Sequence, residues 1–395
     1  MEILKILGRK HQYFLQDMNH YKNELQQTIC GARILVVGGA GSVGQAVAKL
    51  LFRFDPRVLH VVDVSENNLV ELVRQIRSTD GYGSGDFRTF TCDVTSSSIE
   101  DIFSLYGPYD YVLNFSAMKH VRSEKDPISL KRMIDVNIFA AVKILKLASH
   151  AGAKKYFSIS TDKAAAPHNF MGASKRVMEY GLIDRSDEVP ISMARFANVA
   201  FSDGSLPHGF KNRLNTLQPI SAPKNIRRYF ITAEEAARLC LLSTFISGNR
   251  TIVIPSENLK LVETSFTEIA SRYLASNGYE VLECSSEEEA RIRIKEARTT
   301  KKWPCYFFES DTTGEKELEE FVAKNECIDN SSYKEISEIT LSNAKRPKVL
   351  QEFFEQYNKY VNNKVNDRQK LYEIFANVVT DFDYADLGHN LEKKM

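Results

Sequence analysis

The sequence predicts an α/β fold: a doubly wound parallel sheet, a smaller C-terminal α+β lobe and a helical arm in front. Three observations predict it. From Arg33 onward, short β-branched apolar runs alternate with amphipathic stretches, a pattern that buries a parallel sheet under helices on both faces. A glycine-rich turn follows the first of those runs. After about Asn198 the alternation loosens, and residues 198–230 are rich in Pro, Gly, Asn and Ser, as in a ligand-facing loop region.

Residues 1–30 make the arm. Ile3, Leu4, Ile6, Leu7, Phe14, Leu15, Met18, Tyr21 and Leu25 recur at roughly helical spacing, which suits packing on the core and contact with a second copy equally. Residues 31–200 carry the sheet. Strands are expected at 34–37, 58–63, 87–92, 111–115, 156–160 and 191–196, with helices at 45–52, 66–77, 98–105 and 130–150. Residues 201–345 form the lobe, with the sheet partly shared. Within it, 285–302 is charged and 303–308 apolar. Residues 346–395 are expected to be a helical, polar extension with a soft tail.

Composition sets limits. A chain of 395 residues suits two domains, or one with a smaller lobe. Lys+Arg is 52 and Asp+Glu is 51, a balance that argues against nucleic acid as a partner, since polyanion affinity needs clustered excess positive charge. Small anions stay open, because one or two placed arginines hold a diphosphate. Cys30, Cys92, Cys240, Cys284, Cys305 and Cys327 form no CxxC pair and no zinc-ligand spacing, so free thiols and no metal are expected. No signal-peptide pattern opens the sequence, and no apolar run approaches the roughly 20 residues that cross a bilayer. A cytoplasmic protein with no membrane span is the expectation.

Gly38, Gly41 and Gly44 stand at GxxGxxG spacing between the first strand and a helix that opens on Ser42 and Val43. Glycine lets the chain turn tightly and lets backbone N–H groups approach a pyrophosphate at the helix N-terminus. The turn is therefore a Rossmann-type dinucleotide site. Asp63 ends the second strand, 19 residues after Gly44, where a carboxylate accepts from an adenosine ribose. A carboxylate there repels a 2′-phosphate, so NAD is expected. Asp93 and Val94 flank the adenine, unless Asp93 is a plain helix-start carboxylate.

The fifth strand runs into Ser160-Thr161-Asp162-Lys163. Ligands sit beyond the carboxyl ends of such strands, which points Thr161, Asp162 and Lys163 at nicotinamide and substrate. An adjacent Asp and Lys in a closed site hold a proton donor and a proton acceptor together. On an open surface the same pair is unremarkable. Met171 and Lys175, four apart, share one helical face.

Taken together, GGAGSVG, NFSAMKHV, STDKA, PHNFMGASKR, RFANV, RRYFIT and DTTGEK resemble the extended short-chain dehydrogenase/reductase superfamily. Within it they resemble the bacterial polysaccharide-biosynthesis nucleotide-sugar 4,6-dehydratases. The resemblance spans roughly residues 31–325. One departure matters. The superfamily uses a YxxxK pair, and this chain has Met171 in the tyrosine position; a thioether carries no proton. A literal YxxxK, Tyr360 to Lys364, lies in the polar C-terminal stretch without the strand context and is taken as chance. One branch of the dehydratases shows the same methionine, and that branch retains configuration at C5.

The resemblance implies a reaction. Hydride leaves sugar C4 for NAD as the 4-hydroxyl loses its proton, water is eliminated across C5–C6, and hydride returns at C6. It implies Asp162 as the acid for the departing 6-hydroxyl and Lys163 as acceptor of the C5 proton. Thr161 bonds the 4-hydroxyl, and Lys175 holds the nicotinamide ribose. Asn114, Ser116 and Ala117 border the cofactor. Lys119 and His120 face the sugar or form a salt-bridged rim. Asn137 resembles a structural asparagine that holds a water or a backbone kink near the catalytic lysine.

On the nucleotide side the resemblance implies Asn198 for a phosphate or uracil, and Ser205, Leu206 and Phe210 on a closing loop. Arg228, rather than Arg227, clamps the diphosphate with its planar fork. Glu235 bonds a ribose, and Gly314-Glu315-Lys316 matches a lobe motif. The expected substrate is UDP-N-acetylglucosamine, with a GDP-linked amino sugar left open, and the expected assembly is a homo-oligomer. The rival readings are a C5-inverting dehydratase, an epimerase of the same fold and a non-catalytic NAD-binding sensor.

Overall fold

The computed structural model describes residues 2–310, 320–330, 332–341, 346–363 and 367–384. The arm comprises α1 (Glu2–Ile6), α2 (Leu15–His20) and α3 (Lys22–Ile29). It packs on the core: Phe14, Leu25 and Ile29 are fully buried in the apolar cluster that also holds the glycine-loop helix. The Asp17 carboxylate pins it by accepting from the backbone N–H groups of Lys334, Glu335 and Ile336.

Strands and helices then alternate: β1 (Arg33–Val37), α4 (Ser42–Phe52), β2 (Val58–Asp63), α5 (Glu66–Thr79), β3 (Asp86–Thr91), α6 (Ser98–Tyr106) and β4 (Tyr111–Asn114). Next come α7 (Pro127–Ile134), α8 (Ala141–His150), β5 (Lys155–Ile159), α9 (Phe170–Ile183) and β6 (Ile191–Ala194). The single helix expected at 130–150 is α7 and α8 joined by a π-helical segment, Asp135–Ala140. Such segments gather at functional sites, and this one carries Asn137.

The lobe contributes β7 (Asn198–Val199), α10 (Leu206–Asn215), β8 (Ile220–Pro223), β9 (Arg227–Ile231), α11 (Ala233–Phe245), β10 (Thr251–Pro255) and β11 (Glu263–Ser265). It continues with α12 (Phe266–Ser276), β12 (Glu280–Cys284), α13 (Glu287–Arg293), α14 (Ala297–Thr300), β13 (Lys302–Phe308), β14 (Ile328–Asp329) and β15 (Ile336–Thr340). The main sheet has the order β14-β15-β10-β6-β5-β4-β1-β2-β3. All of its pairings are parallel except those of β15 with β10 and β14. The fold is thus Rossmann-like, with lobe strands completing one edge. Two three-stranded sheets, β11-β9-β7 and β12-β13-β8, build the rest of the lobe.

The C-terminal stretch forms α15 (Pro347–Asn362) and α16 (Arg368–Ala376). It is less polar in effect than expected. Leu350, Phe353, Tyr357, Leu371, Ile374 and Phe375 are buried in one cluster with Leu130, Ile134, Phe170 and Val177 of α7 and α9. The chain average hides an apolar stripe at helical spacing. All 14 residues of α9 are buried as a result.

Candidate active site

Register aligns the carboxyl ends of the central strands. Val37 pairs with Val62 and Asn114, Asn114 with Ser158, and Ile159 with Ala194. The glycine loop, the 116–120 segment, the Thr161 turn and the 198–205 loop all leave the sheet along this line.

The glycine loop separates into two kinds of position. Gly38 has φ +71°, and a Cβ there would stand 2.4 Å from the Ser116 nitrogen. A Cβ at Gly44 would stand 2.4 Å from the Gly38 oxygen. The fold itself requires those two glycines. At Gly41 a Cβ would meet nothing nearer than 3.8 Å, so glycine there leaves room for a group outside the chain. Asp63 braces the loop, accepting from Ala40 N at 2.8 Å and Ser65 N at 2.9 Å, and a carboxylate keeps further lone pairs beyond those two. Ser42 and Val43 open α4, and Ser42 Oγ accepts from Asp203 N at 2.9 Å. That bond draws the 198–205 loop over the helix start.

Asp93 sits at the edge of this region. Its carboxylate accepts from Thr95 N and pairs with Arg132; α6 begins at Ser98 behind the cap residue Ser97, so Asp93 does not start that helix, and Val94 is core. Asn114 is fully buried, with its amide spent on Tyr156 Oη, Ser116 N and Ser116 Oγ. Its side chain therefore organises the strand end and does not reach a cofactor, a correction to the expectation. Ser116 lies against Gly38, and Ala117 follows it.

At the end of β5, Asp162 is 4% exposed. Its Oδ1 accepts from Thr161 Oγ1 at 2.8 Å, Lys163 N at 2.9 Å and Lys163 Nζ at 3.2 Å. Asn169 caps α9 by accepting from Gly172 N, which sets the helix start beside this turn. Met171 is 4% exposed, belongs to the apolar cluster with the C-terminal helices, and gives its N–H to Glu124 Oε1. Lys175 Nζ donates to the Ile159 carbonyl at 3.0 Å and lies 3.6 Å from Met178 Sδ. An ammonium has three donors. Among the described residues one oxygen takes them, so capacity remains for a ligand. Burial pushes Lys175 down to about 8, against the pull of Glu179. Asn137, fully buried, holds Met118 from both sides and donates to Ser174 Oγ, one residue before Lys175.

Across the cleft, Lys119 Nζ lies 3.5 Å from Ser202 Oγ, and burial lowers its pKa. His120 lies against Gly204 and is also lowered, by burial and then by Lys119 and Arg122. Asn198 Nδ2 is buried with no hydrogen-bond partner among the described residues, an orphaned donor where a ligand acceptor was expected. Ser205 caps α10, and Leu206 is half-buried behind it. Arg228 is 4% exposed on β9, whereas Arg227 is exposed and paired with Glu263 and Glu268.

Two expected ligand contacts lie elsewhere. Glu235 is fully buried and closes a capping box with Thr232. Its carboxylate also accepts from Arg9 at 2.7 Å and from Tyr13 N at 2.8 Å, so it anchors the arm and bonds no ribose. Phe210 is fully buried in the lobe core with Trp303 and Ile269. Arg195, in the segment expected to meet the sugar nucleotide, is also fully buried and ion-paired with Glu179 and Glu326. Gly314-Glu315-Lys316 and Lys364 lie outside the described residues. No group of three or more metal-ligating side chains occurs among the described residues, and no helix there is long and apolar enough to cross a membrane.

One cluster was not anticipated. Glu179 takes Ser160 Oγ at 2.6 Å, Arg195 Nη2 at 2.6 Å, Arg195 Nε at 2.8 Å and Arg176 Nη1 at 3.1 Å. Glu326 closes it with Arg176 and Arg195, which outweigh burial and hold its carboxyl at about 2. The i,i+4 spacing of Lys175 and Glu179 was a visible signal. Glu326, 131 positions from Arg195, gave none.

The sequence profile of the polysaccharide biosynthesis protein family matches residues 34–341. The capsular polysaccharide biosynthesis protein CapD of Staphylococcus aureus is 28% identical over 321 residues, 79% of this chain and 48% of that protein. The chain therefore spans about half the length of that relative. A UDP-N-acetylglucosamine 4,6-dehydratase (inverting) of Campylobacter jejuni is 24% identical over 287 residues, covering 69% of this chain and 81% of that one. The structure of Pen from Bacillus thuringiensis superimposes with a TM-score of 0.64 at 22% identity, over 86% of this chain and 99% of that one, a likeness of fold.

Proposed function

This chain belongs to the polysaccharide biosynthesis protein family, and on that premise we propose that it is a nucleotide-sugar 4,6-dehydratase. The substrate we propose is UDP-N-acetylglucosamine, the product a 4-keto-6-deoxy sugar nucleotide, and the resident cofactor NAD. The observation that carries this reading is the near-buried Asp162–Lys163 pair at the carboxyl end of β5, two strands from the glycine loop.

Three features fit a dinucleotide beside that pair: the open space at Gly41, the spare donors of Lys175 and the Asp63 carboxylate. NAD, when bound, supplies a reversible hydride acceptor. The chain's residues do the rest. Gly41 and the start of α4 hold the pyrophosphate, and Lys175 holds the nicotinamide ribose. Asp162 Oδ1 accepts from Lys163 Nζ across 3.2 Å. Asp162, once it has taken the 4-hydroxyl proton, protonates the departing 6-hydroxyl, and Lys163 as the amine takes the C5 proton. Asp162 Oδ2 accepts no hydrogen bond among the described residues and so faces that task uncommitted, while Oδ1 takes three. With Met171 in the tyrosine position, the 4-hydroxyl proton passes through Thr161, whose own hydroxyl donates to Asp162, onto the Asp162 carboxylate, and from there it leaves with the 6-hydroxyl as water. An epimerase needs no acid for a 6-hydroxyl, and the Asp162–Lys163 pair favours dehydration over it.

Asn198 Nδ2 and Arg228 are the groups proposed for the nucleotide diphosphate. Met171 supports retention at C5. The Campylobacter relative carries the inverting name, so product configuration is the finer test. The experiment is incubation with UDP-N-acetylglucosamine in deuterated water. Loss of one water by mass, with deuterium entering at C5, is the expected result. An isobaric product means an epimerase, and an unchanged substrate sinks this reading.

A further inference from the structure

We propose that Glu179 is a positioning residue for the reaction: it fixes the strand end that delivers Thr161, Asp162 and Lys163, and it supplies the counter-charge for Lys175. The inference rests on the dehydratase reading for its consequence but on its own geometry for its content.

Glu179 is 1% exposed. One carboxylate oxygen is shared between Ser160 Oγ and Arg195 Nε, the other between Arg195 Nη2 and Arg176 Nη1. Ser160 is the residue immediately before Thr161. Its hydroxyl is thereby tied to α9, the helix that carries Lys175, so the reacting turn and the lysine are held against one another through a single carboxylate. Glu326 completes the charge balance, two carboxylates for two guanidiniums, and fixes the segment that returns from the lobe. Ser160 and Lys175 add what a scaffold does not need. Replacing buried ion clusters with apolar groups is often neutral for stability, so stability alone does not call for four buried charges here.

The charged groups on α9 and on the segments packed against it come from five places in the chain. On its own helix they are Arg176 and Glu179, and on the turn after β5 Asp162 and Lys163. Arg195 comes from just after β6, Glu326 from the returning segment and Glu124 from the turn that receives Met171 N. Glu179 stands one helical turn from Lys175 and is the carboxylate whose charge opposes its burial.

The test reads Lys175 directly, without substrate. Protein labelled with 13Cε-lysine is titrated by NMR, the Lys175 signal being assigned by its loss in K175M. The wild-type midpoint is expected near 8. In E179Q it should fall by about one pH unit or more. S160A keeps the charge, so it should keep the midpoint while kcat drops and KM holds. Should E179Q fail to fold, E179Q/R176Q is read against R176Q, which lacks the same guanidinium, and the same fall between those two is expected. A folded variant without Glu179 whose Lys175 midpoint is unchanged overturns the proposal, as does an S160A enzyme with wild-type kcat. A wild-type protein that releases no water sinks the dehydratase reading alone, and the NMR result still decides the counter-charge role.

Discussion

The two sides of the strand ends differ in how their polar groups are spent. Behind them, Glu235 meets Arg9, Tyr13 and Thr232, and Glu179 meets Ser160, Arg176 and Arg195. In front, Asp162 keeps an uncommitted oxygen, Lys175 keeps donors, and Asn198 Nδ2 has no partner among the described residues. A folded chain rarely leaves buried polar capacity unused, because an orphaned group costs about 1–3 kcal/mol. Behind, the two carboxylates are saturated even though Arg9 Nε and Arg176 Nε beside them have no partner among the described residues; in front, the spare capacity lies on the groups expected to meet a ligand.

That contrast can be broken by mutation. The largest effect belongs to the front. D162N or K163M should lower turnover by about 10²- to 10⁴-fold with an unchanged melting temperature, read by mass from product formation. A variant with full turnover, or one that also unfolds, would move these residues to the scaffold side. Next comes the back. R9M strands the buried Glu235 carboxylate and should cost about 3–5 kcal/mol in chemical denaturation, while the turnover of the folded fraction holds.

A smaller effect sharpens the contrast inside one loop. G41A should weaken NAD binding by about 10-fold or more at an unchanged melting temperature, because the added methyl meets the pyrophosphate and not the chain. G44A should instead destabilise, since its Cβ collides with Gly38. The smallest effect is with pH. Lys175 holds ribose as an ammonium and loses its proton above about 8, so NAD affinity should fall as pH rises through that value. Titration calorimetry across the range checks it, and a flat profile to pH 10 would remove Lys175 from the cofactor site. Stability moves the opposite way. Between about 8 and the unfolded value of 10.5 the unfolded chain binds more protons at this site, so its contribution to folding stability rises with pH.

How much was legible follows from where partners lie in sequence. The glycine turn, the six strands and the Asp162–Lys163 pair are local patterns; the strands lie within two residues of their expected bounds, the sixth stopping at Ala194 rather than 196. The role of Glu235 was not legible, because Arg9 is 226 positions away and an acidic residue at a helix start has an innocent explanation. Phe210 carried no sign of facing inward on α10. The C-terminal helices were misjudged through averaging, since Leu350, Phe353 and Tyr357 sit at helical spacing among charged neighbours. Asn137 was placed near the lysine by resemblance; the π-helical winding that aims it was invisible.

That winding has a consequence of its own. A π-segment accommodates one residue more than a regular helix of the same rise. Asp135–Ala140 can therefore be treated as an insertion, and an insertion can be reversed. Removing a single residue there would let α7 and α8 run together as one continuous α-helix. Each residue advances a helix by about 100°, so one flank would swing by that angle against the other. Asn137 would leave Met118 and Ser174 at once. A three-nucleotide deletion would then release the 116–120 segment and the start of α9 from their shared anchor, a genetic lesion that no substitution at the site itself could imitate.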